Sequence, residues 1–248
     1  MLTNADILKI AIEQSAIDCS CKPDDFLNGK KNIVISNEDS NARCYLELPH
    51  HCYLVSYGSG IVASVRESVL QAVEQYLDSG VDYACFEPPN TLQLNDILQP
   101  FGLRLASVAE YFLPDVEKLH VRKTSYDTRL IYPDEFEPLY LPEWSNALCE
   151  KRKELDRLAI GAFDGKKLIG LAGCSADCET MYQIGIDVLP DYRRQGIASA
   201  LTSRLAVETL RLGKVPFYCA AWSNLRSVRN ALCCGFRPAW IELCTKSI

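Results

Sequence analysis

Apolar and polar positions along the last ninety residues follow two different periods. Leu158 to Phe163, Leu168 to Cys174 and Met181 to Val188 are short runs rich in branched and aromatic residues, which predict strands. Asp164-Gly165 between the first two predicts a hairpin turn. From Gln195 to Leu212 the spacing becomes helical, with Ile197, Leu201, Leu205 and Leu212 along one side. Val215 to Ala221 predicts a strand, Asn224 to Cys234 a helix, and Ala239 to Thr245 a final strand.

The first part of the chain mixes the same periods. Thr3-x-x-Asp6 has the pattern of a capping box, and Ile7, Leu8, Ala11, Ile12 and Ile17 follow at helical spacing. Asn28-Gly29 marks a turn. Residues 32–36, 44–48, 52–57 and 61–65 predict strands, with Gly58-Ser59-Gly60 turning between the last two. Ser64-x-x-Glu67 predicts the cap of a helix carrying Val69, Leu70, Val73, Tyr76 and Leu77 and ended by Gly80. A strand at 83–87, a short helix at 91–99 and a strand at 103–112 follow. Residues 114–145 contain Pro114, Pro133, Pro138 and Pro142 among many charges, and predict a linker followed by broken helices. The expected division is an N-terminal α/β domain over 1–115 and a second domain over 116–248. Both parts end in a helix, a glycine (Gly102, Gly235) and a strand, so the first is expected to be a degenerate copy of the second.

Composition narrows the function. The 248 residues are 48% apolar and 23% charged, as in a soluble globular protein. The net charge of -6 argues against nucleic acid as the main partner and favours cationic or neutral substrates. No apolar run approaches a membrane span, and the N-terminus lacks a basic leader before an apolar block. Without a secretion signal, the twelve cysteines point to a reducing cytoplasm and to buried thiols. They show no paired zinc spacing, so no metal is expected.

Chemistry concentrates in the stretch DYRRQGIASAL, Asp191 to Leu201, between a strand and a helix. The first amides of a helix have no partner and bind anions, aided by the helix dipole. Gly196 and Ala198 leave the backbone open to close approach, and Arg193 and Arg194 supply positive charge. The junction is therefore shaped for a phosphate or pyrophosphate.

The same residues carry a family resemblance. VLPDYRRQGIASALTSRLAVETL resembles motif A of the GNAT superfamily of N-acetyltransferases, through Arg193-x-x-Gly196-x-Ala198. WSNLRSVRNALCCGF is similar to the family's second motif, through Asn224, Ser227, Gly235 and Phe236. The resemblance covers about residues 155–248 and implies a mixed, mostly antiparallel sheet flanked by helices. It further implies acetyl-CoA or another acyl-CoA as co-substrate. The open backbone of Ile186, Asp187 and Val188 would pair with the pantetheine. The amides of Arg193, Arg194, Gln195, Gly196, Ile197, Ala198 and Ser199 would hold the pyrophosphate, with Asn224 and Ser227 near the pantetheine arm.

Acetyl transfer needs a neutral amine and a proton for the leaving thiolate. An alkylamine with a pKa of ~10 is mostly protonated at neutral pH, so a base or water relay helps. The strand position where some family members hold a glutamate is Tyr182 here, which could order a water. Asp177 and Glu179 in the preceding loop could bind or deprotonate the amine. Where many members place an acidic tyrosine, seven residues after the motif asparagine, this chain has Ala231, and Tyr218 and Cys233 are the candidate substitutes. The expected activity is N-acetylation of a primary amine on a small molecule, by a monomer or homodimer. A protein acetyltransferase and a non-catalytic CoA-binding or regulatory protein are the alternatives.

Overall fold

The computed structural model of the chain describes residues 2–79 and 83–248; the expected stop at Gly80 lies outside them. In chain order the elements are α1 (Asn4–Cys19), β1 (Lys31–Ile35), β2 (Cys52–Ser56), β3 (Ile61–Val65), α2 (Leu70–Asp78), α3 (Asn90–Leu98), β4 (Leu103–Pro114), β5 (Asp127–Ile131), β6 (Asp156–Asp164), β7 (Lys167–Ser175), β8 (Met181–Val188), α4 (Ile197–Arg211), β9 (Val215–Ala220), α5 (Leu225–Cys233) and β10 (Phe236–Ser247). They pack as two compact units. One holds the segment up to Ile10 together with Phe112–Pro238, the other Ala11–Tyr111 together with Ala239–Ile248. No helix among the described residues is long and apolar enough to cross a membrane.

In the unit of Ala11–Tyr111 the strand order is β1-β3-β2-β10-β4. β1 runs parallel to β3, while β2 is antiparallel to both β3 and β10. One sheet face, with Leu54, Ala63, Val65 and Leu243, packs on Val73, Tyr76 and Leu77 of α2 and on Leu94 and Leu98 of α3. Elsewhere in this unit lies a buried charge cluster. Arg43 is 1% exposed and meets Asp18 at 3.3 Å and Glu242 at 3.1 Å. Two expected strands are turns here. Residues 44–48 coil directly after the buried Arg43, in a turn closed by the Leu46 amide donating to the Arg43 carbonyl. Tyr83–Phe86 is a single 3-10 turn that buries Cys85 and Phe86, ahead of the helix-interrupting Pro88 and Pro89. Ser64 is a strand residue rather than a cap, and the helical segment starts after Arg66. The Thr3–Asp6 capping box forms, with the Thr3 amide donating to Asp6 at 2.8 Å and the Asp6 amide to Thr3 at 3.2 Å.

In the other unit the strands run β9-β8-β7-β6-β5. β5 to β8 are antiparallel neighbours, and β8–β9 is the parallel pair joined through α4. β5 falls inside the stretch expected to be linker and broken helices. Its alternating exposure marks an edge strand, a weak signal in sequence among prolines and charges. The broken helices are 3-10 turns at Pro133–Glu135, Glu137–Leu139 and Pro142–Trp144, and a further 3-10 segment follows at Glu150–Leu155. α4 buries Ile197, Leu201 and Leu205 against Ile160, Ala172 and Ile184 on one sheet face. Each such side chain contributes roughly 2 kcal/mol. Leu212 follows the last turn of α4 and is 57% exposed. Phe136, Trp144, Ala147 and Leu148 cover the opposite face over Ile131, Ala159 and Leu171.

Candidate functional site

β8 and β9 form a fork. Their parallel pairing runs from Met181↔Val215 only to Gln183↔Phe217, although β8 continues to Val188 and β9 to Ala220. On its other edge β8 stays paired to β7 as far as Val188↔Gly170. The Leu189 amide donates to the Ile169 carbonyl at 2.9 Å and so faces β7. Backbone direction alternates along a strand, so Ile186 and Val188 turn their amides and carbonyls into the fork, and Asp187 turns its own toward β7.

The end of β8 leads into the junction. Pro190–Tyr192 makes one 3-10 turn, Arg194 takes φ +64° and Gly196 φ +78°, and α4 begins at Ile197. Gly196 is the cap residue and offers no side chain to the helix start. The Ala200 amide bonds the Gly196 carbonyl, but the amides of Arg194 to Ser199 find no acceptor among the described residues. Six unpaired amides at the positive end of a 15-residue helix make a candidate anion cradle. Arg193 donates from Nε to the Val188 carbonyl at 3.0 Å, so its guanidinium bridges the turn to the fork edge. Gln195 is held by Tyr126, whose hydroxyl donates to Oε1 at 2.8 Å. Arg194 is exposed and has no side-chain partner among the described residues.

This geometry, a parallel fork ending in an anion cradle, spans a segment that matches a family model. Residues 125–236 match the acetyltransferase (GNAT) family. They are a GNAT domain. Solved structures similar to the chain include a GCN5-related N-acetyltransferase-like protein from Streptococcus suis, at 19% identity and TM-score 0.47 over 65% of this chain and 69% of that one. A putative GNAT acetyltransferase from Novosphingobium aromaticivorans aligns at 17% identity and TM-score 0.41, over 58% of this chain and 66% of that one, just under two thirds of its length. A tandem GNAT protein from the clavulanic acid biosynthesis pathway aligns over 99% of this chain and 97% of that one, at 12% identity and TM-score 0.46. No curated protein sequence matches the chain.

Within the GNAT domain the remaining candidates separate. Asn224 caps α5 and accepts from the Ser227 amide at 3.3 Å. The Tyr218 hydroxyl lies within hydrogen-bonding reach of the Ser227 and Asn230 side chains, and burial raises its pKa. Tyr218 is the first β9 residue beyond the last β8–β9 pair. Tyr182 lies opposite Pro216 at the closed end of the fork, half-buried, with no partner for its hydroxyl among the described residues. Asp177 is not a solvated loop carboxylate. It is fully buried, ion-paired to Arg152 and bonded by the Ser175 hydroxyl at 2.8 Å, so it is not free to meet an amine. Asp187 also has a structural duty. Its carboxylate accepts from the Asn146 amide at 2.8 Å, Asn146 Nδ2 at 2.7 Å and the Ala147 amide at 3.1 Å, pinning residues 146–147 to the sheet.

Sequence reasoning passed over the glycine pair that admits this segment. Gly173 and Gly185 are cross-strand partners on β7 and β8. A Cβ at Gly173 would collide with the Ala147 carbonyl, and one at Gly185 with the Asn146 carbonyl. Isolated glycines inside two predicted strands were the available signal. Asp156 was passed over as well. It is 2% exposed, accepts from the Tyr140 hydroxyl at 3.1 Å and the Cys149 amide at 3.0 Å, and burial pushes its pKa up to about 6.

Proposed function

We propose that the protein transfers an acetyl group from acetyl-CoA to a primary amine of a small molecule. The carrying observation is the β8–β9 fork leading straight into six unpaired amides. In this reading the amides of Arg194 to Ser199 hold the pyrophosphate and Arg194 adds a mobile positive charge. Ile186 offers its fork-side amide and carbonyl, and Val188 its amide, to the pantetheine amides, the Val188 carbonyl being taken by Arg193, while Asp187 acts through its side chain by fixing the Asn146 segment. Acetyl-CoA supplies the activated thioester. Tyr182, with its unengaged hydroxyl at the closed end of the fork, orders a water that takes the amine proton. Tyr218 stands across the fork, in the same buried cluster as Ala231, and its hydroxyl is the proton source for the departing thiolate. Burial, which raises the Tyr218 pKa, keeps it protonated for that role at neutral pH.

Titration calorimetry with acetyl-CoA tests the cradle, and thiol release across a panel of amines tests the reaction. Affinity in the micromolar range, about -8 kcal/mol, is expected. No heat of binding at millimolar acetyl-CoA would end this reading. Binding without thiol release on any amine would reduce the site to a CoA-binding one.

A further inference from the structure

Charge is unevenly placed along the chain. Residues 192–241 hold eight arginines and lysines and one acid, Glu208, which pairs with Arg211 at 2.7 Å. The rest of the chain carries the other 18 basic and 31 acidic residues. Within the basic stretch, α5 presents an unusual outer face. Trp222, in the turn before it, is 61% exposed, Leu225 56% and Leu232 50%. Arg226 and Arg229 lie between them, exposed, with no partner among the described residues. The spacing 222, 225, 229, 232 follows one side of a helix. At its far end the stripe runs into a depression of about 530 Å³ to which Lys118, His120, Arg122 and Arg237 contribute. Two acids also line it, and one of them, Asp115, is already engaged by Asn4 at 2.9 Å and by Lys118.

We infer that this face docks an acidic carrier protein that presents the acyl group on a phosphopantetheine arm, so that the donor is an acyl-carrier thioester as well as, or in place of, acyl-CoA. The inference builds on the acetyl-transfer reading, because the two donors share the phosphopantetheine that the fork and cradle would hold. α5 flanks that cradle: Ser199 in the first turn of α4 donates to Asn230 of α5 at 3.2 Å. A body attached beyond the phosphate therefore lies over α4's start and α5. Phosphates alone would account for arginines there. They do not account for the apolar residues, Trp222 in the turn and Leu225 and Leu232 along about 10 Å of helix at 1.5 Å per residue, which suit a partner helix. Tryptophan and arginine together are the residue types that anchor protein interfaces, and the local positive charge would steer an acidic partner. The transfer itself is unchanged. The amine nitrogen bonds to the thioester carbon, the carbon–sulfur bond breaks, and the amine proton ends on the released carrier thiol.

The test uses the full chain, acetyl-CoA, and an acidic acyl carrier protein carrying acetyl-phosphopantetheine through an amide in place of the thioester. The wild type should bind the loaded carrier more tightly than the unloaded one. Arg226→Glu combined with Arg229→Glu should weaken the loaded carrier at least tenfold at low salt and leave acetyl-CoA within twofold. Trp222→Ala should weaken the carrier without altering the salt dependence. The inference is overturned if the wild type binds acetyl-CoA but not the carrier. It is equally overturned if charge reversal weakens both donors alike, or if polyglutamate binds as tightly as the loaded carrier. Failure of the wild type to bind either donor would remove the acetyl-transfer reading beneath it.

Discussion

At Gly196 the backbone stands at φ +78°, and a Cβ there would meet open space. A side chain at this position is resisted by the backbone itself, at a cost of roughly 1–2 kcal/mol, so substitution would mix folding with binding. Ala198 separates the two effects. It is partly exposed in the first turn of α4. A glutamate there favours the helix dipole by roughly 0.3–1 kcal/mol but sets a negative charge on the cradle. Ala198→Glu is expected to keep or raise the melting temperature without ligand and to weaken acetyl-CoA at least tenfold, about 1.4 kcal/mol. Unchanged affinity in calorimetry would remove the cradle. Asp156 offers a pH test. Its folded pKa of about 6 lies above the usual carboxylate value because burial disfavours the charge. Its contribution is therefore fully present below the unfolded pKa near 4 and is lost as pH rises through about 6. The difference between the folded and unfolded values is worth roughly 3 kcal/mol. Asp156→Asn should flatten the stability profile between about pH 4 and 7 in denaturant melts. A profile as steep as that of the wild type would assign the slope to other groups.

Among the elements, the β7–β8 pair shows how packing decides the site. The two strands were legible from their apolar runs. Their glycines gain meaning only when the chain around Asn146 and Ala147 is seen lying flat on them, held by the Asp187 carboxylate. Gly185→Ala should push that segment off the sheet and cost roughly 1–3 kcal/mol, with loss of protection at the Asn146 and Ala147 amides in hydrogen exchange. Full protection at both amides would show that the contact yields easily. The fork has the same character. Its strands follow from their sequence pattern, yet the place where β8 leaves β9, after Gln183 and Phe217, is seen only in the pairing of the two strands.

Across the whole molecule, one strand–turn–helix junction among the described residues leaves six consecutive amides open. After β3 the turn closes on itself, with the Val69 amide donating to the Arg66 carbonyl and the Leu70 amide to Glu67. Calorimetry should therefore give one acetyl-CoA per chain, and a stoichiometry of two would reveal a second cradle in the unit of Ala11–Tyr111. The sequence by itself determined the geometry of the proposed cradle, because a strand, a turn with glycine and a small-residue first turn are consecutive residues. It also determined most strands and helices from Leu158 onward, where each period is clean. The tertiary structure alone decided which carboxylates are free. Asp177 read as an accessible loop carboxylate and Asp187 only as open backbone, yet their carboxylates are engaged by Arg152 and by Asn146, 25 and 41 residues away. It alone placed Arg43 between Asp18 and Glu242, beside a predicted strand that is coil. The reason is physical: helix periods and helix ends are local properties of the chain, whereas burial and charge pairing depend on residues brought together from distant positions by the fold.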